Sequence, residues 1–149
     1  MLVEIVQTEN DKKKEYLWQY QESVRRVARI ESELEEIRAM RTSISVSNDG
    51  MPSGSGQSDL SSYAAELDRL ERNLISERYN RIVLYKDIVR RIKRLRIRNE
   101  NDVLFYRYIK GLDWWEIAEK MNYSERQIYR YHGRGLVHFE LPEDVSECQ

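Results

Sequence analysis

The chain contains a single cysteine, Cys148, so an intrachain disulfide cannot form and a zinc site has no thiolate set to draw on. A reducing cytoplasm suits it, and a secreted, disulfide-stapled fold does not. Prolines number two and glycines six in 149 residues. Sandwiches and barrels need frequent turn residues, so this scarcity excludes the β-rich classes. A bilayer-spanning apolar run is missing as well. The opening Leu2, Val3, Ile5 and Val6 is interrupted by Glu4 and Glu9, which argues against a signal peptide and a membrane partner. Nor is there an excess of one charge: 25 Lys and Arg face 26 Asp and Glu, for a formal net charge of −1. Bulk composition therefore carries no nucleic-acid signature, and any such function must rest on local placement.

What the chain does have is helical periodicity. Tyr16, Tyr20, Val24, Val27, Ile30, Leu34, Ile37 and Ile44 recur at steps of three, four or seven, and Glu31, Glu33, Glu35 and Glu36 fill the opposite face. The stretch Ser45–Ser58, with Gly50, Pro52, Gly54 and Gly56, reads as a flexible linker. Asp59 is the expected N-cap of a second helix whose stripe is Leu60, Tyr63, Leu67, Leu70, Leu74, Ile82, Tyr85, Val89, Ile92 and Leu95. The rhythm slips between Leu74 and Ile82 as a coiled-coil stutter does. Two long helices with one narrow stripe each satisfy one another best as an antiparallel hairpin. The expected organisation is a first stalk helix with its N-terminal segment over residues 1–44, the linker over 45–58 and a second stalk helix over 59–98. A small helical domain over 99–141 and a disordered acidic tail over 142–149 follow. The fold class is all-α, and a homodimer through the hairpin is left open.

After Arg98 the helices become short and carry explicit stops. Asn99–Asp102 offers caps for a helix through Tyr108 and Ile109 that Gly111 ends. Asp113 with Glu116, and Ser124 with Gln127, each form a capping box, and Asn122 sits between them where a left-handed residue is needed. Ala118 is small enough for two helices to cross over it, and Ile117, Met121, Ile128 and Leu136 supply an apolar wedge. A pair of helices joined by a four-residue turn after a third is the helix-turn-helix arrangement. On the last helix Arg126, Arg130 and Arg134 are four apart, with Gln127, Tyr129 and Gly133 beside them, while Ile128, His132, Gly135, Leu136 and Phe139 fall roughly opposite. Arg reads guanine edges bidentately and clamps phosphate, Gln reads adenine, and the first turn of such a helix, here Ser124 to Gln127, is where bases are met. Tyr129 suits a thymine methyl or a phosphate, and Ser124 and Arg134 suit phosphates.

The segment Arg107–Leu136, RYIKGLDWWEIAEKMNYSERQIYRYHGRGL, resembles sigma-70 region 4 at Gly111-Leu112, Glu116-Ile117-Ala118 and Ser124. Over about residues 14–140 the chain resembles a phage- and prophage-associated family of uncharacterised proteins. Their ending is close to Tyr-Ser-x-Arg-Gln-x-Tyr-Arg-x-His-Gly-Arg-Ala-Leu and corresponds here to Tyr123–Leu136. The resemblance implies a DNA-binding regulator of phage genes in a bacterial host cytoplasm, with double-stranded DNA as partner; contact with RNA polymerase is left open. Gly135 stands where that family has Ala, which puts two glycines in three residues. Either Gly133 admits a DNA backbone, or the helix frays beyond His132. The separate domain with which sigma factors open promoters has no counterpart.

Other residues point elsewhere less strongly. Seven basic residues against Asp87 in Lys86–Arg98 place Arg90, Arg94 and Arg98 as phosphate contacts, or else as a solvated stalk end. His132 reads as a hydrogen-bonded core residue, His138 is solitary, and Trp115 or its neighbour fills the small core. The run SGSGQS lacks the Gly-Lys-Ser/Thr ending of a phosphate loop. Neither a catalytic constellation nor a metal or cofactor set is legible, so an enzyme is not expected. Beside the DNA-binding regulator stand two alternatives: an adaptor acting on RNA polymerase or another phage factor, and a DNA-packaging recognition subunit.

Overall fold

The computed structural model describes residues 2–46 and 55–143. Helices α1 (Leu2–Val46) and α2 (Ser55–Lys93) are followed by α3 (Arg98–Leu104), which runs into a π-helical turn, Phe105–Ile109. Helices α4 (Trp114–Met121) and α5 (Glu125–His138) complete the chain. The protein is all-α, with no strand among the described residues. None of these helices is long and apolar enough to cross a membrane. By contact the chain divides into two units, one of residues 23–81 and one of residues 1–22 with 82–149.

In the unit of residues 23–81, Val27 and Leu34 of α1 bury against Leu70 and Leu74 of α2, with Ile30, Ile37 and Leu67 around them. Ion pairs Arg26–Glu77, Glu31–Arg78 and Arg38–Glu71, at 3.1, 3.0 and 3.4 Å, run beside the seam. Early residues of α1 meet late residues of α2, the order of antiparallel neighbours. Each of these exposed pairs contributes at most about 1 kcal/mol, whereas burying each leucine is worth about 1.5–3 kcal/mol.

The helix limits differ from the expectation. Asp59 is not an N-cap, because α2 already begins at Ser55. At the other side α1 extends through Val46, into the segment read as linker. The rest of that linker, residues 47–54, lies outside the described residues, as do residues 144–149 of the tail. The expected stripe of α2 also changes. Leu60, Ile82 and Tyr85 are exposed, and Ile88, which the periodicity passed over, is fully buried.

In the unit of residues 1–22 and 82–149, the short C-terminal helices do not pack only on one another. Tyr16 meets Phe139 with ring centres 6.1 Å apart, and Trp18 meets Tyr108 edge-on at 5.2 Å. Leu17 is fully buried. Lys13 Nζ donates to the carbonyls of Leu136 and Val137 at 2.8 and 3.2 Å, and Gln21 Nε2 donates to those of Tyr108 and Ile109 at 3.1 and 2.9 Å. Carbonyls at a helix end have no intrahelical donor, so α1 supplies the missing partners for two elements. Gly111 then reverses the chain at φ +68°, and a Cβ there would lie 2.9 Å from Gln21 Oε1. Both the backbone angle and the crowding call for glycine.

Helix α2 stops at Lys93, short of the expected Arg98. The side-chain amide of Asn101 donates to the carbonyls of Ile92 and Leu95 at 2.9 and 3.4 Å, which closes that end. Asn99–Asp102 therefore lies inside α3 instead of capping it. The N-cap is Ile97, which makes no side-chain cap bond.

Candidate functional site

Helix α4 starts at Asp113, whose backbone N–H donates to Glu116 Oε2 at 2.8 Å. Asn122 ends it at φ 58° and ψ 42°, a left-handed conformation that few residues other than glycine hold cheaply. The N–H of Tyr123 returns to the carbonyl of Ala118 at 3.1 Å, and Asn99 Nδ2 donates to the Tyr123 hydroxyl at 3.1 Å. Ser124 then caps α5. Its Oγ accepts from the Gln127 N–H at 3.2 Å, and its own N–H donates to Gln127 Oε1 at 3.1 Å. The cap of α5 is thus made by bonds spanning only three residues.

Packing fixes the rotation of α5 about its own axis. Ile128, His132, Gly135 and Leu136 are buried. Val103, Ile117, Ala118 and Ile128 form one core, with Leu112, Trp114 and Met121 around it. A Cβ on Gly135 would sit 3.3 Å from Leu104 Cγ and 3.4 Å from the Glu100 carbonyl, so glycine here lets α5 approach α3 closely. Helix α5 continues to His138, which removes the fraying explanation for the two glycines. Gly133 is different: a Cβ there would meet nothing within 4 Å.

His132 lies against Trp114 at 4.7 Å between ring centres, and its Nε2 is 2.7 Å from the Tyr108 hydroxyl. Burial holds the His132 pKa down at about 4, aided by the positive charges of Lys14 and Arg107. Burial also pushes the Tyr108 hydroxyl well above its ordinary range, against a smaller lowering by Arg107. Tyr108 therefore keeps its proton and shares a hydrogen bond with a neutral imidazole. Arg107 is held between Trp18 and Trp114, 5.1 and 4.4 Å from the ring centres, and donates to the Leu112 carbonyl at 2.9 Å.

The outward face of α5 follows from this. Arg126, Tyr129, Arg130 and Arg134 are exposed. Among the described residues none of these three arginines has an ion-pair partner or accepting carbonyl. A four-residue step along a helix is about 6 Å, so the guanidinium groups form one row. Tyr129 lies along that row, its ring 4.9 Å from Trp114. Gln127 and Ser124 are engaged with one another through the cap. With Oε1 committed, Gln127 has only its amide N–H groups to offer outward, and a bidentate adenine contact would require the cap to open.

Arg90, Arg94 and Arg98 do not share a helix face, because α2 ends at Lys93 and Arg98 opens α3. Arg90 pairs with Asp87 at 2.7 Å and Arg98 with Asp102 at 3.8 Å. His138 is not solitary. Its Nδ1 lies 2.7 Å from Oε2 of the buried Glu100, whose Oε1 has no hydrogen-bond partner among the described residues. Of the two adjacent tryptophans it is Trp114 that packs inward, and Trp115 is 57% exposed. Neither Glu100 nor Arg107 announces itself in the sequence, since their partners lie on other elements. No family model, curated protein or solved structure matches the chain.

Proposed function

We propose that this protein binds double-stranded DNA sequence-specifically by laying α5 in the major groove, with α4 and α5 acting as a helix-turn-helix. The observation that carries the reading is the row of Arg126, Arg130 and Arg134, exposed and without acidic partners among the described residues, on a helix braced from behind. Guanidinium groups are charged at every working pH, and an unpaired row of them suits phosphates and guanine edges. Arg126 and Arg130, near the helix start, are assigned to bases. Arg134 and Ser124 are assigned to phosphates, and Tyr129 to a thymine methyl or a phosphate. Open space over Gly133 allows a sugar-phosphate backbone to come close. The resemblance to sigma-70 region 4 and to the phage-associated family supports a phage or prophage transcription regulator, working in a bacterial cytoplasm.

Selection of bound sites from random duplex DNA, followed by titration over a salt series, tests this. Affinity should fall steeply with salt, and Arg130→Ala should relax discrimination at one base pair by about 1–3 kcal/mol. Absence of duplex binding at low salt, or unchanged discrimination in the variant, would refute the assignment. A second reading, an adaptor docking RNA polymerase or another protein, draws on the exposed indole of Trp115. It predicts a partner whose binding survives Arg130→Ala and fails with Trp115→Ala.

A further inference from the structure

The first turn of α5 fixes which atom of the Gln127 amide faces outward. Its Oε1 accepts from the Ser124 N–H at 3.1 Å and from the Ser124 hydroxyl at 3.3 Å. A carbonyl oxygen has two lone pairs, so both acceptor sites are filled. Oxygen and nitrogen cannot exchange places here, because a backbone N–H only donates and needs the oxygen opposite it. Nε2 and its two protons remain, and they bond to nothing among the described residues. Gln127 is exposed, about 60° around the helix axis from Arg130 and about 20° from Arg134, so it shares the outward face of α5. An unconstrained glutamine presents oxygen and nitrogen together, which is how it matches adenine. This one presents nitrogen alone.

We propose that Gln127 is a donor-only reader that selects guanine, an inference that rests on α5 lying in the major groove. Of the four major-groove edges, guanine alone offers two acceptors, N7 and O6. Thymine offers one, O4, with a methyl group beside it. Adenine sets its N6 amino group next to N7, so donor meets donor, and cytosine shows only its N4 amino group. Meeting adenine in the usual bidentate way means breaking the bonds from Ser124 to Oε1. Guanine therefore stands first in the order of preference and cytosine last. The same cap lets a single atom reverse the reader. Ser-x-x-Glu closes a capping box as Ser-x-x-Gln does, so Gln127→Glu keeps one oxygen on Ser124 and turns an acceptor outward where the donor was. A carboxylate oxygen so placed accepts from the cytosine N4 amino group.

Sites selected from random duplex DNA by the full-chain wild type and by Gln127→Glu should agree except at one base pair, guanine for the wild type and cytosine for the variant. In competition at that pair the wild type should favour guanine over cytosine about ten-fold or more, and Gln127→Glu should reverse the order, with far-UV circular dichroism unchanged. Gln127→Ala, with neither donor nor acceptor, should bind both versions equally well. Identical selected sites for the wild type and Gln127→Glu overturn the proposal. So does adenine at the differing pair of the wild-type site, or a Gln127→Ala protein that keeps the guanine preference. In each of those cases the wild type still binds a defined duplex, and the DNA reading stands. A wild type that selects no duplex site fails differently, removing the DNA reading and this inference with it.

Discussion

Acidification should unlock the core behind α5 through one imidazole. His132 has a folded-state pKa of about 4 against an ordinary 6.5, chiefly because burial disfavours the charged ring, with Lys14 and Arg107 adding repulsion. Below 6.5 the unfolded chain takes up a proton here that the folded chain refuses. Stability therefore falls as pH drops from 6.5 to about 4 and levels off beneath, while above 6.5 both states are neutral at this ring and no slope arises. The gap of roughly 2.5 pH units, at about 1.4 kcal/mol each, amounts to about 3 kcal/mol. Protonation also makes Nε2 a donor only, so the Tyr108 hydroxyl, 2.7 Å away, is left only to accept from it. The tryptophans, Trp18, Trp114 and Trp115, all belong to the unit containing His132, so fluorescence-monitored urea unfolding reads that unit directly. Between about pH 7.5 and pH 4.5 the wild type should lose about 2–3 kcal/mol more than His132→Gln, which cancels the titration of other groups. Parallel loss in the two proteins would show that His132 is not held neutral by its surroundings, and the reasoning would fail.

The two glycines of α5 should respond oppositely to alanine. Gly133→Ala gains helix propensity in open space and should raise stability by about 0.5–1 kcal/mol in urea titration. Gly135→Ala should lose stability by about 1 kcal/mol, because its Cβ presses on Leu104 and the α3 backbone. Asn122→Ala should cost about 1 kcal/mol by thermal unfolding, since the residue is left-handed, and Asn122→Gly should cost nothing measurable. His138→Ala strips Glu100 of its partner and should cost about 1–3 kcal/mol, with most of the loss recovered in the double variant that adds Glu100→Gln.

Legibility in the sequence followed the range of the interactions. The cap of α5 at Ser124 and Gln127, the start of α4 at Asp113 and Glu116 and the left-handed Asn122 were readable because each is settled by a side chain and backbone within a few residues. The outward side of α5 was readable because its rotation follows from Ile128, His132 and Leu136 on the other side. The stop of α2 at Lys93 was not, since it is made by Asn101, a residue that looks locally like a helix cap. The same holds for Glu100 with His138, 38 residues apart, and for Gln21, which reaches carbonyls 87 and 88 residues away. Ile82 and Tyr85 lie past the slip in rhythm after Leu74 and are exposed, and burial turns instead to Ile88. Periodicity cannot register that turn without the partner helix.

One unit of this chain is stitched from its two extremes, as the bond from Lys13 to the Leu136 carbonyl across 123 residues makes plain. On a ribosome, which delivers residues in order, the contacts of residues 1–22 with residues 82–143, Tyr16 with Phe139 among them, can form only after the 23–81 segment between them has been made. Meanwhile the intervening 23–81 segment, compact through its own internal contacts, can settle first and shorten the loop that must later close. A nascent or nicked polypeptide lacking Phe139 would thus leave Tyr16 without the ring it packs on. Chaperones and proteases would then meet a half-finished product with uncovered apolar surface, and only molecules in which α1 has met α5 would show a braced α5 to their surroundings.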